Sequence, residues 1–246
     1  MIAEYVTSTY EITDAYQKIL LDAKEAKVEI EASSNDTTKL VFFEDQKRRY
    51  VFDVENGTLT VRLRKTKWYN FLRIGFKRSE IKICVPESIL EALTVKATVG
   101  CVVISSIVCT GDISVQTNTG KVTVCDTSCK AFHSKTGTGN VVLSKLMATD
   151  TVSLECNTGK VSLNDCNARE FLVKTNTGKV SLNDCNAREF LVKTNTGNVF
   201  GKLPSNTVFA VKTHTGKIET PKTAIGEVIG ARCEIKTNTG SIKFVN

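Results

Sequence analysis

The sequence predicts an all-β chain wound into a β-solenoid. Three observations indicate this fold: an internal repeat, a two-residue apolar pattern within each repeat, and a composition rich in Thr and Val. With 246 residues, of which 41% are hydrophobic, the chain is long enough to bury a sizeable core. The composition excludes a disordered chain, a collagen and a coiled coil.

The repeat is clearest in the middle of the chain. Residues 160–178 and 179–197 carry the same 19-residue sequence, KVSLNDCNAREFLVKTNTG. A weaker form recurs at 19- or 20-residue intervals until the last, which is 24 residues long. We interpret the extra length as a loop insertion near residues 218–232. The glycines that mark the copies are Gly100, Gly120, Gly139, Gly159, Gly178, Gly197, Gly216 and Gly240.

Each copy has the pattern of two short strands. Apolar residues recur seven and five positions before the marker glycine, and again two and four positions after it. The TNTG step between them is typical of a turn, since Gly tolerates positive φ and Asn bonds its local backbone. A unit of this size cannot bury its own apolar face, so stacked coils of about 19 residues are predicted.

Residues 1–90 are expected to form irregular β coils and a cap, followed by regular repeats over residues 91–246 in one continuous domain. Asn56-Gly57 is a strong hairpin signal. Residues 16–27 favour a strand over a helix because their apolar residues alternate. Five further strands are predicted at residues 28–30, 40–43, 50–54, 59–63 and 81–85.

The repeats, the KVEIEASSND and ENGTLTVRLRK segments, and IKICVPESILEALTVKATVG resemble the bacterial putative-adhesin domains, a family of unknown function. The resemblance covers most of the chain. It implies a single-stranded, right-handed β-helix, and the family label implies a location at the cell surface. These motifs are structural and specify no chemistry.

One segment, residues 62–82, holds all of the excess charge. The chain has a net charge of +7, and this segment carries eight basic residues and one acid around an aromatic cluster. Such a mixture suits an anionic membrane interface, or stacking and pairing with a nucleic acid. A loop that packs its aromatic rings on the first coil is the structural alternative. The candidate contact residues are Trp68, Tyr69, Phe71, Arg73, Phe76, Lys77 and Arg78.

Lysines also recur beside the repeat turn. They lie four residues before the glycine, as in Lys174 and Lys193, and one residue after it, as in Lys160 and Lys179. This stripe suits phosphates or an acidic polymer, while a solvated, aggregation-resistant surface is the alternative. Because no RNA-binding motif and no interleaved aromatic residues accompany it, nucleic acid is not an expected partner.

The sequence favours a non-enzymatic interaction or scaffold protein that contacts an anionic surface. A surface adhesin that binds a glycan or a protein is the alternative, and a carbohydrate-active enzyme is the least favoured. The stacked Asp165 and Asp184 arise from the duplication and show no separate acid and base roles. No CxxC pair accompanies the nine Cys residues, and we expect no metal or cofactor.

The expected partners are a protein or an anionic membrane surface. The start of the chain lacks the layout of a signal peptide, so a cytoplasmic location is expected, with the cell surface as the alternative if an export route exists. Unless the 218–232 insertion folds over it, the last predicted strand, residues 241–245, would leave an unpaired edge. Such an edge predicts weak self-association through the C-terminal end of the solenoid.

Overall fold

The computed structural model describes residues 4–33, 35, 37–46, 48–64, 79–86, 90–221 and 230–245. These residues form β-strands and no helix. The first eight strands are β1 (Tyr5–Ile12), β2 (Lys18–Lys24), β3 (Lys27–Ser33), β4 (Thr38–Asp45), β5 (Tyr50–Glu55), β6 (Thr58–Leu63), β7 (Glu80–Pro86) and β8 (Ala92–Val99). The next eight are β9 (Val102–Ser105), β10 (Ile113–Thr119), β11 (Val122–Cys129), β12 (Phe132–Thr138), β13 (Val141–Ala148), β14 (Thr151–Thr158), β15 (Val161–Asn164) and β16 (Glu170–Thr177). The last seven are β17 (Val180–Asn183), β18 (Glu189–Thr196), β19 (Val199–Lys202), β20 (Val208–Thr215), β21 (Ile218–Glu219), β22 (Arg232–Thr239) and β23 (Ile242–Val245).

Each coil contributes one strand to each of two sheets. The 11-stranded sheet follows the order β20-β22-β18-β16-β14-β12-β10-β8-β2-β6-β5. The 12-stranded sheet follows the order β1-β4-β7-β3-β9-β11-β13-β15-β17-β19-β23-β21. Equivalent residues of neighbouring coils pair in parallel register, as Val173 pairs with Val192 and Val161 with Val180. The predicted all-β solenoid is therefore confirmed.

The core lies between the two sheets and consists of columns of like residues. Most of the side chains predicted to face inward are almost completely excluded from solvent, including Phe171, Phe190 and Leu163. The rings of Phe171 and Phe190 stack with centroids 5.2 Å apart. A single coil cannot bury its own inward-facing side chains. Each coil therefore depends on the adjacent coils to exclude these side chains from solvent.

The turn between the two strands requires glycine at its marker position. Gly159 has a φ of +150°. A Cβ at this residue would lie 2.0 Å from the carbonyl oxygen of Gly139 in the preceding coil. Side chains are thus excluded where successive turns stack, which is why the glycine recurs with the period of the coil.

The coils do not stack in the order of the sequence at either end. At the N-terminal end, β2 lies between β6 and β8, and β3 lies between β7 and β9. At the C-terminal end, β22 lies between β18 and β20. The coil of β20 and β21 lies two strand spacings away from the coil of β18 and β19. The last coil, formed by β22 and β23, lies between these two coils.

This arrangement corrects the prediction of an unpaired C-terminal strand. The strand β23 pairs with β19 on one side and with β21 on the other. The end of the described stack is instead the coil of β20 and β21, in which Phe209 and Val211 are only partly buried. Part of the predicted 218–232 loop is also strand, since β21 and the start of β22 lie within it, and residues 222–229 lie outside the described part.

The N-terminal end is covered by antiparallel strands. The strand β4 pairs antiparallel with β1 and β7, and β5 pairs antiparallel with β6. The hairpin predicted at Asn56-Gly57 is confirmed, with both residues at positive φ and Glu55 paired with Thr58. The hydroxyl of Tyr50 donates a hydrogen bond of 2.5 Å to the carbonyl of Ala23, which fixes β5 against the first coil.

Candidate functional site

The aromatic–basic candidates Trp68, Tyr69, Phe71, Arg73, Phe76, Lys77 and Arg78 lie outside the described residues. Arg62, Arg64 and Lys82 of the same segment are described, and two of these three cations face acids. Arg62 lies 3.9 Å from Asp53, and Lys82 lies 2.8 Å from Glu31. The hydrogen bond with Glu31 raises the pKa of Lys82. These two cations are thus engaged within the fold.

A second candidate surface is fully described and lies on the outside of the 11-stranded sheet. In β16, β18 and β22 a lysine four residues before the marker glycine is followed by an inward residue and then by an asparagine, and the other strands of this face carry one of the two. In β16, for example, Lys174 and Asn176 are exposed while Thr175 between them is buried. We call this surface the lysine–asparagine face; it comprises Lys135, Lys174, Lys193, Lys236, Lys212, Asn118, Asn157, Asn176, Asn195 and Asn238.

The strand register produces an uninterrupted run of four lysines. Lys174 pairs with Lys193, and Lys193 pairs with Lys236. Lys236 in turn pairs with Lys212 in the displaced coil. Adjacent strands are about 4.8 Å apart, so the four side chains start from backbone positions spread over about 14 Å. Sequence order alone would place Lys212 next to Lys193, and the structure inserts Lys236 between them.

The acids near this run neutralise only part of it. Glu155 lies opposite Lys174 in the strand register but forms its ion pair with Lys135, at 3.1 Å, and Lys236 pairs with Glu234. The hydrogen bond from Lys236, with further charge from Arg232 and Lys193, holds the pKa of Glu234 below its ordinary range. Within the described residues Lys174, Lys193 and Lys212 form no ion pair. Like charges directly opposite each other across strands are destabilising, so repulsion among these lysines lowers the stability of the fold.

The asparagine column beside the lysines is linked by its own hydrogen bonds. The Nδ2 of Asn195 donates to Oδ1 of Asn176 at 3.3 Å, and the Nδ2 of Asn238 donates to Oδ1 of Asn195 at 2.6 Å. Between the two columns, the buried Thr175 and Thr194 hydroxyls bond to each other at 2.8 Å. The amides therefore hold a fixed position beside Lys174, Lys193 and Lys236, with hydrogen-bonding capacity left for a ligand.

A groove of about 620 Å³ runs along this face. It crosses six strands, from Gln116 in β10 to Lys236 in β22, and both columns line it. Its charged lining consists of four lysines and one glutamate, Glu155. Since strands are about 4.8 Å apart, the groove extends for about 24 Å along the stack. It is an elongated, positively charged depression.

The structure separates the two predicted lysine positions. Lys174 and Lys193 line the groove, while Lys160 and Lys179 lie beyond the glycine turn and do not. Lys160 and Lys179 are exposed and occupy equivalent positions of adjacent coils. The repeat pattern predicts both pairs of lysines along the chain. It does not indicate that only the pair Lys174 and Lys193 lines the groove.

A second depression of about 540 Å³ lies at a corner of the coils and is lined by Arg169 and Arg188 among others. Asp165 and Asp184 both adopt positive φ at the corner after the second strand, at 53° and 51°, in equivalent coil positions. No group of three or more His, Cys, Asp or Glu among the described residues could hold a metal ion. No described helix is long and apolar enough to span a membrane.

The stacked parallel coils and the glycine turns define the class: this is a β-solenoid whose repeats build one long, grooved face. The sequence model of the family described as Toastrack DUF4097 matches residues 16–224. The chain therefore belongs to the DUF4097 Toastrack family, and the resemblance to putative-adhesin domains is confirmed. The family has no established function, and no curated protein matches the chain significantly.

Solved structures share the fold. A putative adhesin from Bacteroides fragilis has 17% identity and a TM-score of 0.61, with 100% of both chains covered. A putative adhesin from Parabacteroides distasonis has 16% identity and a TM-score of 0.66, covering 99% of this chain and 98% of that one. A protein described as a putative lipid binding protein from Parabacteroides distasonis has 19% identity and a TM-score of 0.56, covering 100% and 99%. None of these structures is described as an enzyme.

Proposed function

We propose that the protein is a non-enzymatic interaction module that binds an anionic partner through the lysine–asparagine face. The observation that carries this proposal is the run of Lys174, Lys193, Lys236 and Lys212 on adjacent strands, with three of the four forming no ion pair within the described part. A protein surface that serves only solubility intersperses charges of both signs. Here the sequence retains repulsion that a bound anion would relieve.

The descriptions of structural neighbours agree with a binding role. Two are described as adhesins and one as a lipid binding protein. An anionic headgroup, an acidic sugar and an acidic polypeptide all offer oxygen anions to an ammonium group. The proposal therefore specifies the chemistry of the contact, with the anionic surface predicted from the sequence as one source of it.

The test is a binding panel with three anionic probes: phosphatidylglycerol vesicles, polygalacturonate and duplex DNA. Neutral phosphatidylcholine vesicles serve as the uncharged probe. The variant Lys193→Gln with Lys236→Gln removes two charges from the middle of the run. The matched control, Lys130→Gln with Lys202→Gln, removes two exposed lysines outside the groove.

We expect the wild type and the control to bind at least one anionic probe, and the face variant to bind it about tenfold more weakly, since each exposed contact contributes about threefold. Equal binding by the face variant and the control would refute the proposal. A second pair of changes, Trp68→Ala with Arg73→Ala, tests the aromatic–basic segment. If that pair alone abolishes vesicle binding, the segment and not the lysine–asparagine face is the contact.

A further inference from the structure

The spacing of the groups on the lysine–asparagine face restricts the kind of anion that fits. The neighbouring strands β16, β18 and β22 each present one lysine and one asparagine. The same pair of side chains therefore recurs about every 4.8 Å along the stack. A ligand that uses several rungs must therefore repeat its own charge at a similar interval. A single small anion would contact only one or two of the lysines.

We propose that the ligand is a linear acidic polysaccharide with one carboxylate on each sugar, which lies in the groove along the stack of strands. This inference rests on the proposed function and names the ligand class for the same face. A pyranose unit is about one strand spacing long. Successive sugars turn about the chain axis, but the long lysine side chains reach carboxylates on either edge of a sugar chain that lies flat on the sheet. Within the groove Lys174, Lys193 and Lys236 correspond to three sugars, and Lys212 lies one strand beyond its end, where a fourth sugar would reach.

The asparagine column supplies the contacts that a sugar needs besides its charge. A side-chain amide has two N–H donors and an oxygen that accepts two hydrogen bonds. In Asn195 one donor bonds to Asn176 and the oxygen accepts from Asn238, which leaves one donor and one acceptor position. A pair of sugar hydroxyls both donates and accepts, and so satisfies this remaining capacity at Asn195.

The other anionic polymers fit the face less well. In an extended acidic peptide, side chains on one side recur about every 6.8 Å, which is out of step with the strands. Single-stranded nucleic acids stack their bases on aromatic side chains. No aromatic residue is among the described residues that line the groove. A flat bilayer would rest on the rims and leave the depression between the columns empty.

The experiment is calorimetric titration of the full chain with galacturonate oligomers in calcium-free buffer. The probes are the dimer, the tetramer and the octamer, together with the octamer in which every carboxylate is methyl-esterified. The ester has the same backbone and hydroxyls but no charge. Phosphatidylglycerol vesicles are titrated in parallel, and the face variant and its control from the binding panel are included, with thermal unfolding recorded to confirm that both fold.

We expect affinity to rise about tenfold from dimer to tetramer, because two further exposed ion pairs contribute about threefold each. The ester should not bind measurably, and Lys193→Gln with Lys236→Gln should weaken tetramer binding about tenfold while its control binds as the wild type. Equal affinities for dimer and tetramer, or equal affinities for octamer and ester, would overturn the inference. If vesicles bind through the face and the oligomers do not, the inference fails and the proposed function stands. If no anionic probe binds, both fail.

Discussion

Changing the number of coils gives a test in which fold and binding respond together. Residues 160–178 and 179–197 are identical, so deleting the first copy joins Gly159 to Lys179 at a junction that has the same sequence as the native one. In the shortened chain β18 takes the place of β16, and Phe190 and Val192 meet the partners that Phe171 and Val173 have now. Every remaining column is preserved.

The expected cost of the deletion follows from the size of one coil. Nineteen residues at about 0.05–0.15 kcal/mol each correspond to a loss of about 1–3 kcal/mol in the free energy of unfolding, because each coil contributes its own stability and one interface. The lysine run shortens from four to three, since Lys174 is removed. We therefore expect a folded protein whose affinity for the anionic ligand falls about threefold.

Inserting a third identical copy should have the opposite effects. The run then has five lysines, and both the free energy of unfolding and the affinity for an anionic polymer should rise by similar steps. A matched control carries glutamine in place of the lysine of the added coil, which lengthens the stack without adding a charge. Urea denaturation and calorimetric titration measure the two quantities.

Two results would refute this reasoning. If the deleted chain is unfolded or aggregated, the coils are not interchangeable units. If the chain with five lysines binds no more tightly than its glutamine control, the run of lysines does not act as a ladder for the ligand.

Three further predictions concern the turn, the charges and the thiols. Gly159→Ala should lower the free energy of unfolding by about 3 kcal/mol or more in urea denaturation, because its Cβ would lie 2.0 Å from the Gly139 carbonyl at a φ of +150°; an unchanged midpoint would contradict the turn geometry. Lys193→Gln should raise the free energy of unfolding by about 0.5 kcal/mol at low salt, because it removes repulsion from two lysine neighbours, and the gain should vanish at high salt. Burial raises the pKa of Cys129 and of Cys233 to about 12 from the ordinary 9.0, so the unfolded chain loses these protons first and the free energy of unfolding should fall as pH rises above about 9. Replacing both thiols with alanine should flatten that decline, and an equally steep decline would show that other groups cause it.

Much of the fold could be predicted from the sequence because the coil has a strict period. The apolar columns, the glycine turn and the hairpin at Asn56-Gly57 each follow from local chemistry that one residue pattern expresses. The strand β2 was also predicted, from the alternation of Ile19, Leu21 and Ala23.

The order of the coils at the two ends could not be predicted in the same way. The inward residues of β22, such as Cys233 and Ile235, fit equally well beside β18 or beside β20, since every coil presents a similar apolar side. The pattern identifies a residue's column but not its neighbour in the column. The prediction of an unpaired final strand was wrong for this reason.

The candidate site was predicted in part. The repeat identified both lysine positions, but the groove depends on which column faces the depression and on the placement of Lys236 between Lys193 and Lys212. Both features arise from three-dimensional stacking. The aromatic–basic segment around Trp68 remains a prediction.

The most direct test of the central claim is to observe the asparagine column itself by nuclear magnetic resonance. In protein labelled with nitrogen-15, the side-chain amide signals of Asn176, Asn195 and Asn238 are followed while galacturonate octamer is added. If the ligand lies in the groove, these three signals shift together and saturate at one octamer per chain, while the side-chain amide signal of Asn167, outside the groove, stays in place. Shifts confined to residues 62–82, with the asparagine column unchanged, would contradict the account.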